Sequence, residues 1–202
     1  MDLAELVELW PAATIHAVEP EPSAYASLVE RAQLMPSVRT WNLALGTEDG
    51  TATLNVSNGP YGTTSSSILD PRDVLTELPS MRFTQVEVPQ LTLASWAAKN
   101  NIGAIDLLAL DMQGYEHAML SASCSVLREA KVVITEAFLG HMYEGAPTIE
   151  QMQRLLTNEG FVIVETNLYW GTTLDMIAVS YGALNEAVRA GRSLRTARSR
   201  RR

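Results

Sequence analysis

Three acidic residues stand where apolar runs stop: Glu19 after Thr14–Val18, Asp111 at the end of IDLLALD, and Glu136 in KVVITEAF. A carboxylate at the carboxyl end of a buried strand can hold the hydroxyls of a ribose. One beside a bound hydroxyl can take its proton. Asn42 lies near the end of a fourth run, VRTWNLAL. In DMQGYE, Gly114 permits a tight turn or a close approach of backbone to a ligand, and Asp111 and Glu116 straddle the start of the next helix. The same acids also suit helix N-termini, where the dipole favours negative charge. His141, in AFLGHMYEG, is a second candidate base. His16 falls in a strand and His117 in a helix, so both are assigned to packing, as are Trp41 and Trp96. Trp170 also suits the flank of a ligand, and the single cysteine, Cys124, reads as a small packed side chain.

The elements that must position these residues alternate along the chain. Leu3, Leu6, Val7 and Trp10 share one face of a helix that Pro11 closes. TIHAVE reads as a buried strand, and Ser23 as the cap of a second helix. VRTWNLAL is one strand; TATLNVS, with its alternation, is another. Residues 58–82 form a long irregular stretch of the kind used for lids and binding loops. Pro89 marks VEVPQLTL as an edge strand, and IDLLALD has the continuous apolar pattern of a strand buried on both faces. One helix is expected over Tyr115–Glu129 and another from a Thr148/Gln151 capping box to Gly160. FVIVETN and LDMIAVS close the body as two strands. Strands alternating with helices predict an α/β fold: a largely parallel sheet with helices on both faces.

Composition narrows the setting. No apolar run approaches the roughly 18 residues of a membrane span, and the opening MDLAELVELW has three acids and no base, unlike a secretory leader. One cysteine fits a cytoplasmic protein. Residues 189–202 hold seven of the 15 basic residues, leaving eight against 23 acids in the body. That body is unsuited to nucleic acid, apart from a weak contact through the arginine-rich end. The chain therefore divides into a domain at 1–188 and a basic, flexible tail at 189–202.

The order VEPEP, NLALGTEDGTATL, TSSSIL, VPQLTL, IDLLALDMQGYE and VVITEAF, from about Leu3 to Ser180, resembles the FkbM family of S-adenosylmethionine-dependent methyltransferases. The resemblance implies a Rossmann-like class I methyltransferase sheet with strand order 3-2-1-4-5-7-6 and the last strand antiparallel. It implies S-adenosylmethionine as cofactor and O-methylation of a hydroxyl on a sugar or other small metabolite. By the same resemblance, Glu19 holds both ribose hydroxyls, and Asn42 and Leu43 lie against adenine. Asp111 and Gly114 border the methionine part of the cofactor, while Ser65, Ser66 and Ser67 line the mouth of the site for the substrate. Asp111, Glu136 and His141 are the candidate bases. Two carboxylates make a thin metal site, so no metal is assigned. The family pattern often has lysine where this chain has Ala109, and an acid where it has Gln113.

Family members open with a strand and a glycine turn that receive the carboxylate end of the cofactor. Here the sequence starts at the following helix, so the first, central strand is expected to be missing between TIHAVE and IDLLALD. The alternative is a catalytically impaired remnant of the fold that acts as a binding protein.

Overall fold

The computed structural model describes residues 3–58, 65–138, 143–169 and 173–199. In chain order the elements are α1 (Leu3–Leu9), β1 (Ile15–Val18), α2 (Pro22–Ala32), β2 (Val38–Trp41), β3 (Ala44–Gly46) and β4 (Gly50–Asn58). Next come α3 (Arg72–Glu77), β5 (Arg82–Thr92), α4 (Leu93–Lys99), β6 (Leu107–Leu110), α5 (Glu116–Ala122) and α6 (Cys124–Glu129). The series ends with β7 (Val132–Phe138), α7 (Ile149–Asn158), β8 (Phe161–Tyr169), β9 (Thr173–Ser180) and α8 (Tyr181–Ser199). The protein is mixed α/β.

Strand pairing divides the sheet. β1 runs parallel to β2, β6 runs parallel to β7, and β9 is antiparallel to both β7 and β8, giving one sheet of order β6-β7-β9-β8 and a separate pair β1-β2. A third sheet, β3-β5-β4, carries the long β4–β5 hairpin. Among the described residues no ladder joins β1 to β6. The two pieces share a core nonetheless, because Trp41 of β2 and Trp96 of α4 meet edge to face at 5.8 Å, with His16 of β1 stacked on Trp41 at 6.0 Å. Trp41 Nε1 donates to His16 Nδ1 at 3.2 Å. His16 and both tryptophans thus pack as their sequence context suggests. The main cluster continues through Met119, Leu120, Leu127, Val133, Met152 and Phe161, all at 0% exposure.

Several local expectations are revised. α2 is capped by Glu21, not Ser23: the Glu21 carboxylate accepts the Ser23 and Ala24 amides, and Pro22 occupies the first turn, where its missing N–H costs nothing. VRTWNLAL breaks into β2 and β3 because Asn42 leaves the ladder, its Nδ2 donating to the carbonyls of Glu19 at 2.9 Å and Pro20 at 3.2 Å. The helix expected over Tyr115–Glu129 is two, α5 and α6, parted at the buried Ser123, whose Oγ accepts the Ala94 amide. Residues 58–82 contain α3, and β5 begins at Arg82. Pro89 is an edge residue locally, since β3 joins β5 only from Gln90 onward. The Thr148/Gln151 capping box forms as read. α8 runs on into the basic segment as far as Ser199, a stretch with no proline and many good helix formers.

The most consequential revision concerns β6. Its apolar pattern calls for burial on both faces, yet only Leu108 is buried and Ala109 is exposed. β1 has no fully buried residue at all. Each strand has one paired edge and one edge without a partner among the described residues. In hydrogen–deuterium exchange, amides of β1 and β6 that face this gap should exchange far faster than those of β7 and β9; equal protection across all four strands would contradict an open gap.

Candidate functional site

The carboxyl ends of β1 and β6 bring Glu19 and Asp111 to the same rim. Glu19 is fixed from both sides: its N–H donates to the Trp41 carbonyl at 3.0 Å, and its Oε1 accepts the Glu21 amide at 2.8 Å. Its Oε2 has no partner among the described residues. Burial pushes the Glu19 carboxyl above its ordinary value, an effect the Glu21 amide opposes and the charges of Glu21 and Asp111 reinforce. Asn42 braces the turn that carries Glu19, so its amide nitrogen is already engaged, while the half-buried Leu43 packs against the main core.

After β6 the chain makes the turn on which the site is built. Gln113 and Gly114 both take left-handed conformations, φ 52° and 94°. Gly114 is required twice over, because a Cβ there would also lie 3.0 Å from the Ala146 Cβ and 3.3 Å from Leu69 Cδ1. The turn is held from beneath by Glu116, whose Oε1 accepts the Met112 amide at 2.6 Å, and from the side by Ser67, whose Oγ donates to the Gln113 carbonyl at 3.0 Å. So fixed, Gln113 spans the two acids: its Nε2 donates to Asp111 Oδ1 at 2.8 Å and to Glu136 Oε2 at 3.4 Å.

Glu116 is fully buried, and its Oε2 has no hydrogen-bond partner among the described residues. Desolvation raises its pKa to about 7 against the amides that favour the charge, with Asp111 and Glu136 adding repulsion. Tyr143, also buried, donates its hydroxyl to the Ser65 carbonyl at 2.7 Å and lies 3.3 Å from Gln113 Oε1. Its phenol is pushed up by burial and by the same three carboxylates.

Asp111, Gly114 and Glu136 therefore converge, and the charge of Asp111 reaches Glu19 after β1. Glu136 lies inside β7 opposite Asp175, not at the strand's end as expected, because β7 continues to Phe138. The serines come close but are occupied: Ser67 secures the turn, Ser66 Oγ accepts the Ser57 amide, and Ser65 supplies its carbonyl to Tyr143. His141 and Trp170 lie outside the described residues. Sequence reasoning treated Glu116 as a partner of Asp111 in helix capping and passed over Gln113 and Tyr143 as working groups. An acid at the start of a helix gives no sign that it will be desolvated, and Tyr143 is 30 residues from Gln113.

In α/β proteins, the carboxyl ends of parallel strands are where ligands are bound. The family model described as "Methyltransferase FkbM domain" matches residues 2–163. The chain belongs to that methyltransferase family. It is 26% identical over 160 residues to the 2-O-methyltransferase NoeI of Sinorhizobium fredii, covering 77% of this chain and 66% of that protein. It thus spans just under two thirds of that relative's length. No solved structure matches it. Among the described residues no helix is long and apolar enough to cross a membrane.

Glu116 makes stability depend on pH. Its folded pKa, about 7, exceeds the ordinary 4.5, so the folded state holds the proton more tightly. The resulting stabilisation is complete below pH 4.5 and is lost as pH rises through 7. Glu116→Gln keeps an acceptor for the Met112 amide and removes the titration. Urea unfolding should show the variant gaining on the wild type by about 3 kcal/mol between acid pH and pH 8; parallel pH profiles would contradict a protonated Glu116.

Proposed function

We propose that this protein transfers a methyl group from S-adenosylmethionine to a hydroxyl oxygen of a sugar or other small metabolite. The observation that carries the reading is the shared rim, where Glu19 feels the charge of Asp111 and Asp111 is joined through Gln113 to Glu136. Glu19 fits a ribose: one oxygen is tied to its own turn, the other is open, and a carboxylate partly stripped of water gains from two hydroxyl donors. The cofactor, when bound, supplies an electrophilic methyl carbon on sulfur. The chain's own part is to orient the acceptor, exclude water and take its proton. Asp111 and Glu136 are the acceptors for that proton, and the Gln113 amide keeps them apart and aligned.

Ser65–Ser67 form the wall between this turn and the β4–β5 sheet. The gap between β1 and β6 is read as the place of one more parallel strand, whose turn would hold the amino-acid end of the cofactor. Three observations support this: the order β2-β1 on one side and β6-β7-β9-β8 on the other, the half-covered side chains of both edge strands, and Trp96 Nε1, which is buried beside His16 without an acceptor among the described residues. A non-catalytic remnant finds no comparable support.

Glu19→Ala should weaken binding of S-adenosylhomocysteine by about 1–3 kcal/mol in titration calorimetry; an unchanged dissociation constant would refute the ribose assignment. Asp111→Asn should lower the methyl-transfer rate by roughly 10²–10⁴-fold with acceptor affinity retained, and an undiminished rate would remove Asp111 as base.

A further inference from the structure

A second concave surface lies on the β4–β5 hairpin, a cleft of 640 Å³ lined by Thr53, Asn55, Ile68, Asp70, Phe83 and Gln85. That volume is in the range of small-molecule sites. Its floor is built. Asn55 is 8% exposed; its Nδ2 donates to the Leu69 carbonyl at 2.9 Å, and its Oδ1 accepts from Gln85 Nε2 at 3.1 Å. Both amides are thereby set in one orientation, and Gln85 Oε1 has no partner among the described residues. Asp70, the one ionisable side chain in the lining, pairs with Arg72 at 3.1 Å, and Arg72 pairs with Glu144. No uncompensated cation awaits a phosphate, and a lone paired carboxylate does not attract a metal ion. What remains is the free Gln85 Oε1, the half-buried Phe83 ring and the Thr53 hydroxyl, which donates to Glu87 Oε1 at 2.6 Å and keeps its acceptor capacity. Such acceptor and stacking groups suit a neutral polyhydroxylated ring.

The cleft also has a fixed relation to the rim. Asn55 and Ser67 exchange backbone hydrogen bonds at 2.8 and 3.1 Å, and Ser67 Oγ reaches the Gln113 carbonyl at 3.0 Å. Two residues therefore link the cleft floor to the turn that bears Asp111. We propose that the cleft is a saccharide subsite: it holds the units of an oligosaccharide that flank the one presented at Asp111 and Glu136. This rests on the O-methylation reading and names its acceptor as an oligosaccharide, not a single sugar.

The test is chemical-shift mapping of the full chain with cellotetraose, maltotetraose and chitotetraose and with their monosaccharides, repeated on Thr53→Phe and Gln85→Ala. Thr53 is exposed on β4, where an aromatic side chain suits the strand and fills the cleft. A thermal melt checks that both variants fold. At least one tetrasaccharide should bind about tenfold more tightly than its monosaccharide, shifting the amides of residues 53, 55 and 85. Thr53→Phe should abolish this binding and Gln85→Ala should weaken it about tenfold. The proposal is overturned if no tetrasaccharide binds, or if binding survives Thr53→Phe. Sugars that shift only Ser67 and Gln113 would remove the subsite and leave the acceptor reading standing. Methyl transfer confined to a hydroxyl that is not on a sugar would remove both.

Discussion

The site depends on one constraint: the four residues from Asp111 to Gly114 must turn sharply while holding a carboxylate at the rim. Two successive left-handed residues make the turn, and only a few bonds keep it in place. Glu116 grips it through the Met112 amide, and Ser67 through the Gln113 carbonyl. Gly114 has a left-handed φ, and a side chain there would also press on Ala146 and Leu69. Everything else in the site is arranged around this turn, from the Gln113 bridge to the position of Tyr143.

Three carboxyl groups and a phenol share this small region, and their charges oppose one another. Glu116, out of water and beside two other acids, is the group that gives way. Burial is the main cause of the rise in its pKa, and the charges of Asp111 and Glu136 add to it. Gln113 has a related role. An acid at that position, as the family pattern often has, would add a further negative charge between Asp111 and Glu136. The amide instead donates to both.

Much of this was legible in the sequence, for identifiable reasons. Acids that end apolar runs mark strand tips because a parallel sheet buries its strands and exposes their ends, which picked out Glu19 and Asp111. Glu136 instead lies within β7, because the strand continues to Phe138 along β9. The capping box at Thr148 is a purely local pattern and formed as read. What the sequence did not reveal depends on distant partners. Asn42 leaves its strand for carbonyls more than 20 residues away, Ser123 breaks a helix by reaching α4, and Tyr143 reaches Gln113 across 30 residues. β6 carries the pattern of a strand buried on both faces, but burial is set by its neighbours, and one of its edges is unpaired among the described residues.

The gap between β1 and β6 and the acids on either side of it are two aspects of one claim, that the rim joining these strand tips receives an adenosyl methyl donor. A crystal structure with S-adenosylhomocysteine tests this most directly. The account predicts the Glu19 carboxylate bonded to the ribose hydroxyls and the Asp111–Gly114 turn beside the sulfur. A ligand seated anywhere else on the molecule would contradict it.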